Sequence, residues 1–236
     1  EMHHVSSPTF TRIIDEMPCR YKVGLTGTLE RKDGRHVVFR DYFGNNVIKP
    51  PKENYLVPKI DILKTEIRFL DGSYTPWAER INHLTMDAEY VHGVSATAAR
   101  YAALGHKVLV VSDRVHFLKS CAKLCGDTAV SITGDMDFAE RETTMNMIKD
   151  NKNILFGTQA IFSEGISLNE LSCLILATPV NNEPLLTQLI GRVIRKIDGK
   201  QQPVVVDFHL KGKTAARQAN ARMGYYMKQG YEVNIL

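Results

Sequence analysis

Between Lys107 and Phe208 five short apolar runs alternate with stretches of helical spacing. The runs are KVLVVS (107–112), AVSIT (129–133), NILFGT (153–158), CLILAT (173–178) and PVVVDF (203–208). None alternates apolar with polar residues, as a strand with one wet face would, so each must bury both faces. A sheet covered on both faces needs helices on each side, and RVHFLKSCAKLC, DFAERETTMNMIKD and EPLLTQLIGRVIRK supply the spacing for them. Strand–helix alternation then predicts an α/β fold, a parallel sheet with right-handed crossovers. Asp137, with Glu140 three residues on, is predicted to cap the second of these helices. Residues 85–105 read as a leading helix that ends at Gly105.

The chain before Lys107 is less regular. YKVGLTGT (21–28) has strand character, but the first 48 residues hold too little for a sheet of their own. KPPKENYLVPK follows, rich in proline and charge, then an alternating strand IDILKTEIRF (60–69) and the turn cluster DGSYTP. The predicted division is therefore 1–48, the end of one α/β unit; 49–76, a hinge; 77–210, a complete second unit; and 211–236, a basic C-terminal helix. The net charge of +4 resides wholly in that last segment, which has five basic residues against Glu232. Such a tail is compatible with nucleic acid without demanding it. Cys19, Cys121, Cys125 and Cys173 form no CxxC pair, which favours reduced core thiols over a metal site. No apolar run approaches the ~20 residues of a membrane span. EMHHVSS is no signal peptide, so the expected location is cytoplasmic: host cytoplasm for a phage product, the nucleus for a eukaryotic one. With no initiator methionine, the chain reads as one whose front part is absent.

TQLIGRVIRK (187–196) carries the chemistry. On a helix at 100° per residue, Gln188, Arg192 and Arg195 fall within about 60° of one another, opposite Leu186, Leu189, Ile190 and Val193. One face suits a core; the other offers an amide and two permanently charged forks. An ordinary amphipathic helix with a solvated basic face is the plainer alternative. Five other pieces precede it in order: EMHH at the start, GLTGTLERKDG (24–34), VLVVSDR (108–114), ITGDMDFAERE (132–142) and ILFGTQAIFSEGIS (154–167).

Taken together, the chain resembles the second half of a superfamily 2 DExH helicase of the UvsW/XPB-like branch. GLTGTLERKDG resembles that branch's motif III and downstream residues, GTQAIFSEGIS motif V, and QLIGRVIR the QxxGRxxR of motif VI. EMHH resembles DExH without its aspartate. The resemblance implies the end of a first RecA-like lobe followed by a second, a parallel sheet flanked by helices. It implies an ATP-dependent helicase or translocase using ATP and Mg²⁺ on single-stranded or branched DNA, with RNA left open.

Residue roles follow from the resemblance. Glu1 would orient the attacking water, and the aspartate preceding it would hold the metal. His3 would touch Gln188 and link hydrolysis to lobe movement. Arg192 and Arg195 would be arginine fingers, for which a planar, always-charged fork suits phosphate oxygens as lysine does not. Gly191 would permit close approach. Thr26 and Thr28 would couple the lobes, or simply cap a strand end. Gly165 and Ser167 would approach the nucleotide, Ser167 standing where the commoner family pattern has an acid. Ser112, Arg114 and Thr158 would meet nucleic-acid phosphate, although strand-end turns need polar residues in any case. Without a phosphate loop and the metal aspartate, the chain by itself is expected to be inactive. A non-catalytic nucleic-acid-binding protein with the same fold, and the motor of a restriction or remodelling machine, are the alternatives.

One decoy is rejected. VVVDFHLKGKTAARQ runs strand, Gly-Lys-Thr, helix, but the glycine a phosphate loop needs five residues before Gly212 is Asp207. In the tail, Ala216, Ala219, Met223 and Tyr226 are predicted to pack, with Lys213, Arg217 and Arg222 on the surface. Trp77, the single tryptophan, is read as core or interface.

Overall fold

The computed structural model describes residues 2, 5–26, 34, 37–49, 51–72, 74–164 and 168–236. Its elements, in chain order, are α1 (Pro8–Asp15), α2 (Val38–Phe43), β1 (Lys59–Arg68), α3 (Trp77–Met86), α4 (Ala88–Ala103), β2 (Val108–Ser112), α5 (Val115–Cys125), β3 (Ala129–Ile132) and α6 (Phe138–Asp150). They continue with β4 (Ile154–Thr158), α7 (Gln159–Glu164), β5 (Cys173–Leu176), α8 (Glu183–Val193), β6 (Val204–Lys211), α9 (Lys213–Lys228) and β7 (Glu232–Ile235).

The strands form one seven-stranded sheet, ordered β3-β4-β2-β5-β6-β1-β7, and every pairing is parallel. The continuous apolar runs now have their cause. Val108, Val110, Ile154, Phe156, Ile175 and Val206 point to one face, under α3, α4 and α5. Their neighbours Leu109, Val111, Leu155, Leu174, Leu176 and Val205 point to the other, under α6, α7, α8 and α9. Because side chains alternate across a strand, burying both faces requires every position to be apolar. The capping box at Asp137 and Glu140 forms as predicted, each side chain accepting from the other's backbone N–H, at 2.8 and 2.9 Å.

Several expectations change. The segment expected as a hinge (49–76) contributes β1, which lies inside the sheet between β6 and β7. Its first half is buried on alternate residues: Ile60 and Ile62, fully enclosed, belong to the same core cluster as Tyr225 and Tyr226 of α9, and β7 pairs along its outer edge. β7 itself belongs to the tail, which is therefore a helix plus an edge strand. The leading helix expected over 85–105 is α4, and a further helix, α3, precedes it; the two meet at Asp87, whose extended backbone frees its carboxylate to accept from Tyr90 N–H at 3.0 Å. Residues 21–26 are not a strand: Tyr21, Val23 and Leu25 are 79, 85 and 75 % exposed, and a strand exists only where a neighbour supplies its ladder.

Of the tail's predicted packing stripe, Ala219 and Tyr226 are buried and Met223 is half-buried against the core, while Ala216 is exposed and Ala215 faces inward in its place. Arg222, expected on the surface, is 5 % exposed. It donates Nε and Nη2 to the two carboxylate oxygens of Asp207 on β6, both at 2.8 Å, and Tyr226 Oη donates to the same carboxylate at 3.0 Å. A buried carboxylate needs a buried cation, and Arg222 is the residue of α9 that faces it. No helix among the described residues is long and apolar enough to cross a membrane.

Candidate functional site

In a parallel sheet all strand carboxyl ends open on one edge. Here that edge carries a row of hydroxyls. Ser112 ends β2 and Thr158 ends β4, and the two are register partners. Thr133 and Thr178 follow β3 and β5 and are buried. Sequence reading singled out the first pair and missed the second. The shared signal was a hydroxyl immediately after each apolar run.

These hydroxyls already shape turns. Ser112, fully buried, accepts from Arg114 N–H through Oγ at 3.1 Å. Thr133 donates to Asp135, and Thr178 accepts from Gln159 Nε2 at 3.1 Å. The Thr133 hydroxyl and then Lys119 hold the Asp135 carboxyl down at about 2. Arg114, at the N-cap of α5, reaches across to the Ala78 carbonyl with Nη2 at 3.3 Å and lies 3.8 Å from Asp113. Its Nε is buried with no hydrogen-bond partner among the described residues.

The second cluster surrounds the end of α8. Gln188 and Arg192 share the half-buried side of the helix, while Leu186, Leu189, Ile190 and Val193 fill the core. Arg192 Nε donates to the Phe162 carbonyl at 2.8 Å, on α7. Arg195 departs from the predicted helical face. The helix stops at Val193, and Arg195 forms an antiparallel bridge with Tyr55. Leu56 N–H donates to Ile194 O at 2.8 Å and Lys196 N–H to Asn54 O at 3.0 Å, so residues 194–196 pair with 54–56 instead of adding a helical turn. Arg195 Nη1 donates to Asn169 Oδ1 at 3.2 Å. Around it lies a cavity of about 250 Å³ lined by Asn54, Tyr55, Asn169, Arg195 and Lys196.

Lys200, unnoticed in the sequence, holds this cluster together. Its Nζ donates to the carbonyls of Asn169 and Arg195, each at 2.8 Å. Burial pulls its ammonium down to about 8. Gly191 does not mediate a close approach within the described chain, since a Cβ there would meet no atom within 4 Å. Gly157 does: a Cβ would overlap the Phe162 ring, so this glycine lets α7 settle against β4.

Glu1, His3, Thr28, Gly165 and Ser167 lie outside the described residues, and Thr26 lies within them, half-buried. Among the described residues no group of three or more His, Cys, Asp or Glu is placed to hold a metal ion. The rejected phosphate loop has a structural counterpart. The N–H groups of Lys213 and Thr214, at the start of α9, donate to Asp71 Oδ2 and Oδ1 at 2.9 and 2.8 Å. The chain's own carboxylate thus fills the anion position, and those two bonds hold its carboxyl below the usual range.

Residues 94–196 match the helicase conserved C-terminal domain. The chain is 40 % identical over 236 residues to a probable helicase of Escherichia phage T5, covering 98 % of this chain and 52 % of that one. It is 23 % identical to the ATP-dependent DNA helicase uvsW of Enterobacteria phage T4, covering 98 % of this chain and 50 % of that one. It thus spans about half the length of the curated relatives it matches. The crystal structure of T4 UvsW superposes with a TM-score of 0.60 at 21 % identity, over 75 % of this chain and 40 % of that one. S. cerevisiae Dbp5 bound to RNA and ADP BeF3 gives 0.57 at 12 % identity, over 89 % and 50 %. The sheet and its flanking helices are those of a RecA-like helicase lobe.

Proposed function

We propose that this chain, which carries the C-terminal lobe of a superfamily 2 helicase, serves an ATP-dependent DNA helicase or translocase by joining a phosphate-sensing cluster to a nucleic-acid edge. One observation carries this reading. Thr158, at the carboxyl edge of the sheet, and Phe162, whose carbonyl holds Arg192, lie four residues apart on the β4–α7 corner. A displacement at the edge is thereby a displacement of the arginine.

The chemistry suits the two tasks. Arg192 and Arg195, beside Lys196, supply only hydrogen-bond donors and positive charge, which fits the phosphate chain of a nucleotide and not its metal. ATP supplies the transferable phosphoryl group, and in this reading Arg192 and Arg195 stabilise its charge as it transfers. Lys200 and Asn169 hold Arg195 in position. In this reading Gln188 would serve as the partner of His3, and Glu1 would orient the attacking water. Thr26, Thr28, Gly165 and Ser167 serve nucleotide binding and lobe coupling. At the carboxyl edge Arg114 and the strand-end turns at Ser112 and Thr158 grip phosphates, so binding depends on salt and little on sequence.

Arg195→Lys in the complete protein tests the assignment. Charge stays and the planar fork goes. ATPase activity should fall at least about tenfold while DNA affinity stays within about twofold. If Arg195 instead grips DNA, turnover recovers at saturating DNA. Near-parental turnover at every DNA concentration would remove the finger role.

A further inference from the structure

The groups assigned so far to the carboxyl edge meet phosphate or backbone, and none addresses a base. The turn after β1 supplies what they lack. β1 runs parallel to β6, so residues 69–72 and 74–76 emerge on the same edge as Ser112 and Thr158. Two aromatic rings stand open there. Tyr74 is 99 % exposed, and Trp77, the first residue of α3, is 38 % exposed. Phe69, fully buried, backs the indole at 5.3 Å between ring centroids and 55° between planes. The tryptophan is therefore anchored by Phe69 and keeps part of its surface open.

The turn is held firmly. Arg80, one helical turn beyond Trp77, donates to the Gly72 carbonyl, to Thr75 O at 2.9 Å and to Thr214 Oγ1 at 3.4 Å. All three acceptors are uncharged, so they leave the guanidinium charge uncancelled. Asp71 fixes the turn's other end on α9. On the far side, Arg114 Nη2 bonds the carbonyl of Ala78, the residue after Trp77. Two rings on a braced turn, with an arginine on either side, match the chemistry of single-stranded nucleic acid: π faces for the bases and positive charge for the backbone. Packing within the chain gives Tyr74 no reason to be aromatic.

We infer that Tyr74 and Trp77 form a stacking platform for the bases of a single strand whose phosphates run past Arg114. This rests on the reading above, that the carboxyl edge carries nucleic acid.

Trp77 is the only tryptophan in 236 residues, so emission excited beyond the tyrosine absorption band reports on it alone. The chain is titrated at low salt with an oligo(dT) strand, while a dye on the strand reports binding independently by anisotropy. Trp77 emission should quench in step with binding, and an abasic strand of the same length should leave it unquenched. Tyr74→Ala should weaken oligo(dT) binding about tenfold. It cannot harm the fold through lost packing, because Tyr74 makes almost none. Trp77→Phe, which keeps the ring on Phe69, should bind within about threefold of the parent, and Trp77→Ala about tenfold more weakly. The platform is overturned if the strand binds and Arg114→Ala weakens it, yet Trp77 emission is unchanged and Tyr74→Ala keeps parental affinity; the carboxyl-edge reading then stands alone. Absence of binding by any strand overturns that reading, and the platform with it.

Discussion

Gly157→Ala is the smallest change that should disturb both the packing and the chemistry of this lobe. Gly157 sits in β4 opposite Val111 and Ile132, fully inside the sheet. A Cβ at that position would lie 2.6 Å from Phe162 Cδ2 and closer still to Cε2. Carbon atoms settle at ~3.5–4.0 Å, so the ring must retreat by about 1 Å or more. It has nowhere cheap to go: Phe162 is 0 % exposed and packed in the core under α8. Overpacking of this kind costs about 1–3 kcal/mol. With a urea slope of about 2–3 kcal/mol per M, the unfolding midpoint should fall by roughly 0.5–1 M. The chemical effect is larger. The Phe162 carbonyl holds Arg192 at 2.8 Å, and in the role proposed above, at the transferring phosphate, a shift of about 1 Å costs up to ~10²-fold. ATPase activity of the complete protein should drop between about tenfold and a hundredfold. Phe162→Leu, which removes the clashing ring atoms, should restore much of the stability in the double variant, giving a coupling above about 1 kcal/mol. A Gly157→Ala protein with the parental urea midpoint and turnover, and additive behaviour with Phe162→Leu, would refute the packing argument and the link to Arg192 together.

Two further outcomes follow from buried and tethered charges. Arg222→Met leaves the Asp207 carboxylate, 1 % exposed, with the Tyr226 hydroxyl and the His209 imidazole at 3.9 Å, whose charged form burial disfavours, and should cost about 3–5 kcal/mol in urea unfolding; a loss below about 1 kcal/mol would mean the pair is not the anchor of α9. Asp135 has its carboxyl held at about 2 against an ordinary 3.8, a depressed folded value, so its stabilisation is present above about pH 4 and fades as pH falls toward 2. Asp135→Asn should flatten the stability profile across that interval and nowhere else, and an unchanged slope there would count against the Thr133 and Lys119 contacts.

What could be read from the sequence was local. Uninterrupted apolar runs predict strands buried on two faces, and β2, β4, β5 and β6 are so, in adjacent positions of the sheet; AVSIT became β3 at the sheet edge, where only Ile132 of its four residues is buried. The Asp137–Glu140 box closes within three residues, and the Gly-Lys-Thr decoy fails on a residue five positions away. What was lost depended on partners distant in the chain. IDILKTEIRF looked like one strand in a hinge because nothing local indicates that β6 and β7, more than 130 residues on, pair along its two edges. Arg195 was placed on a helical face by its spacing, and only backbone pairing with residues 54–56 takes it off. Arg222 carries the same charge as the exposed Arg217, and only Asp207, across the sheet–helix interface, makes it a core residue. Periodicity is a property of a segment and can be counted; hydrogen-bond partners and compensating charges belong to pairs, and the tertiary structure alone brings the members of each pair together.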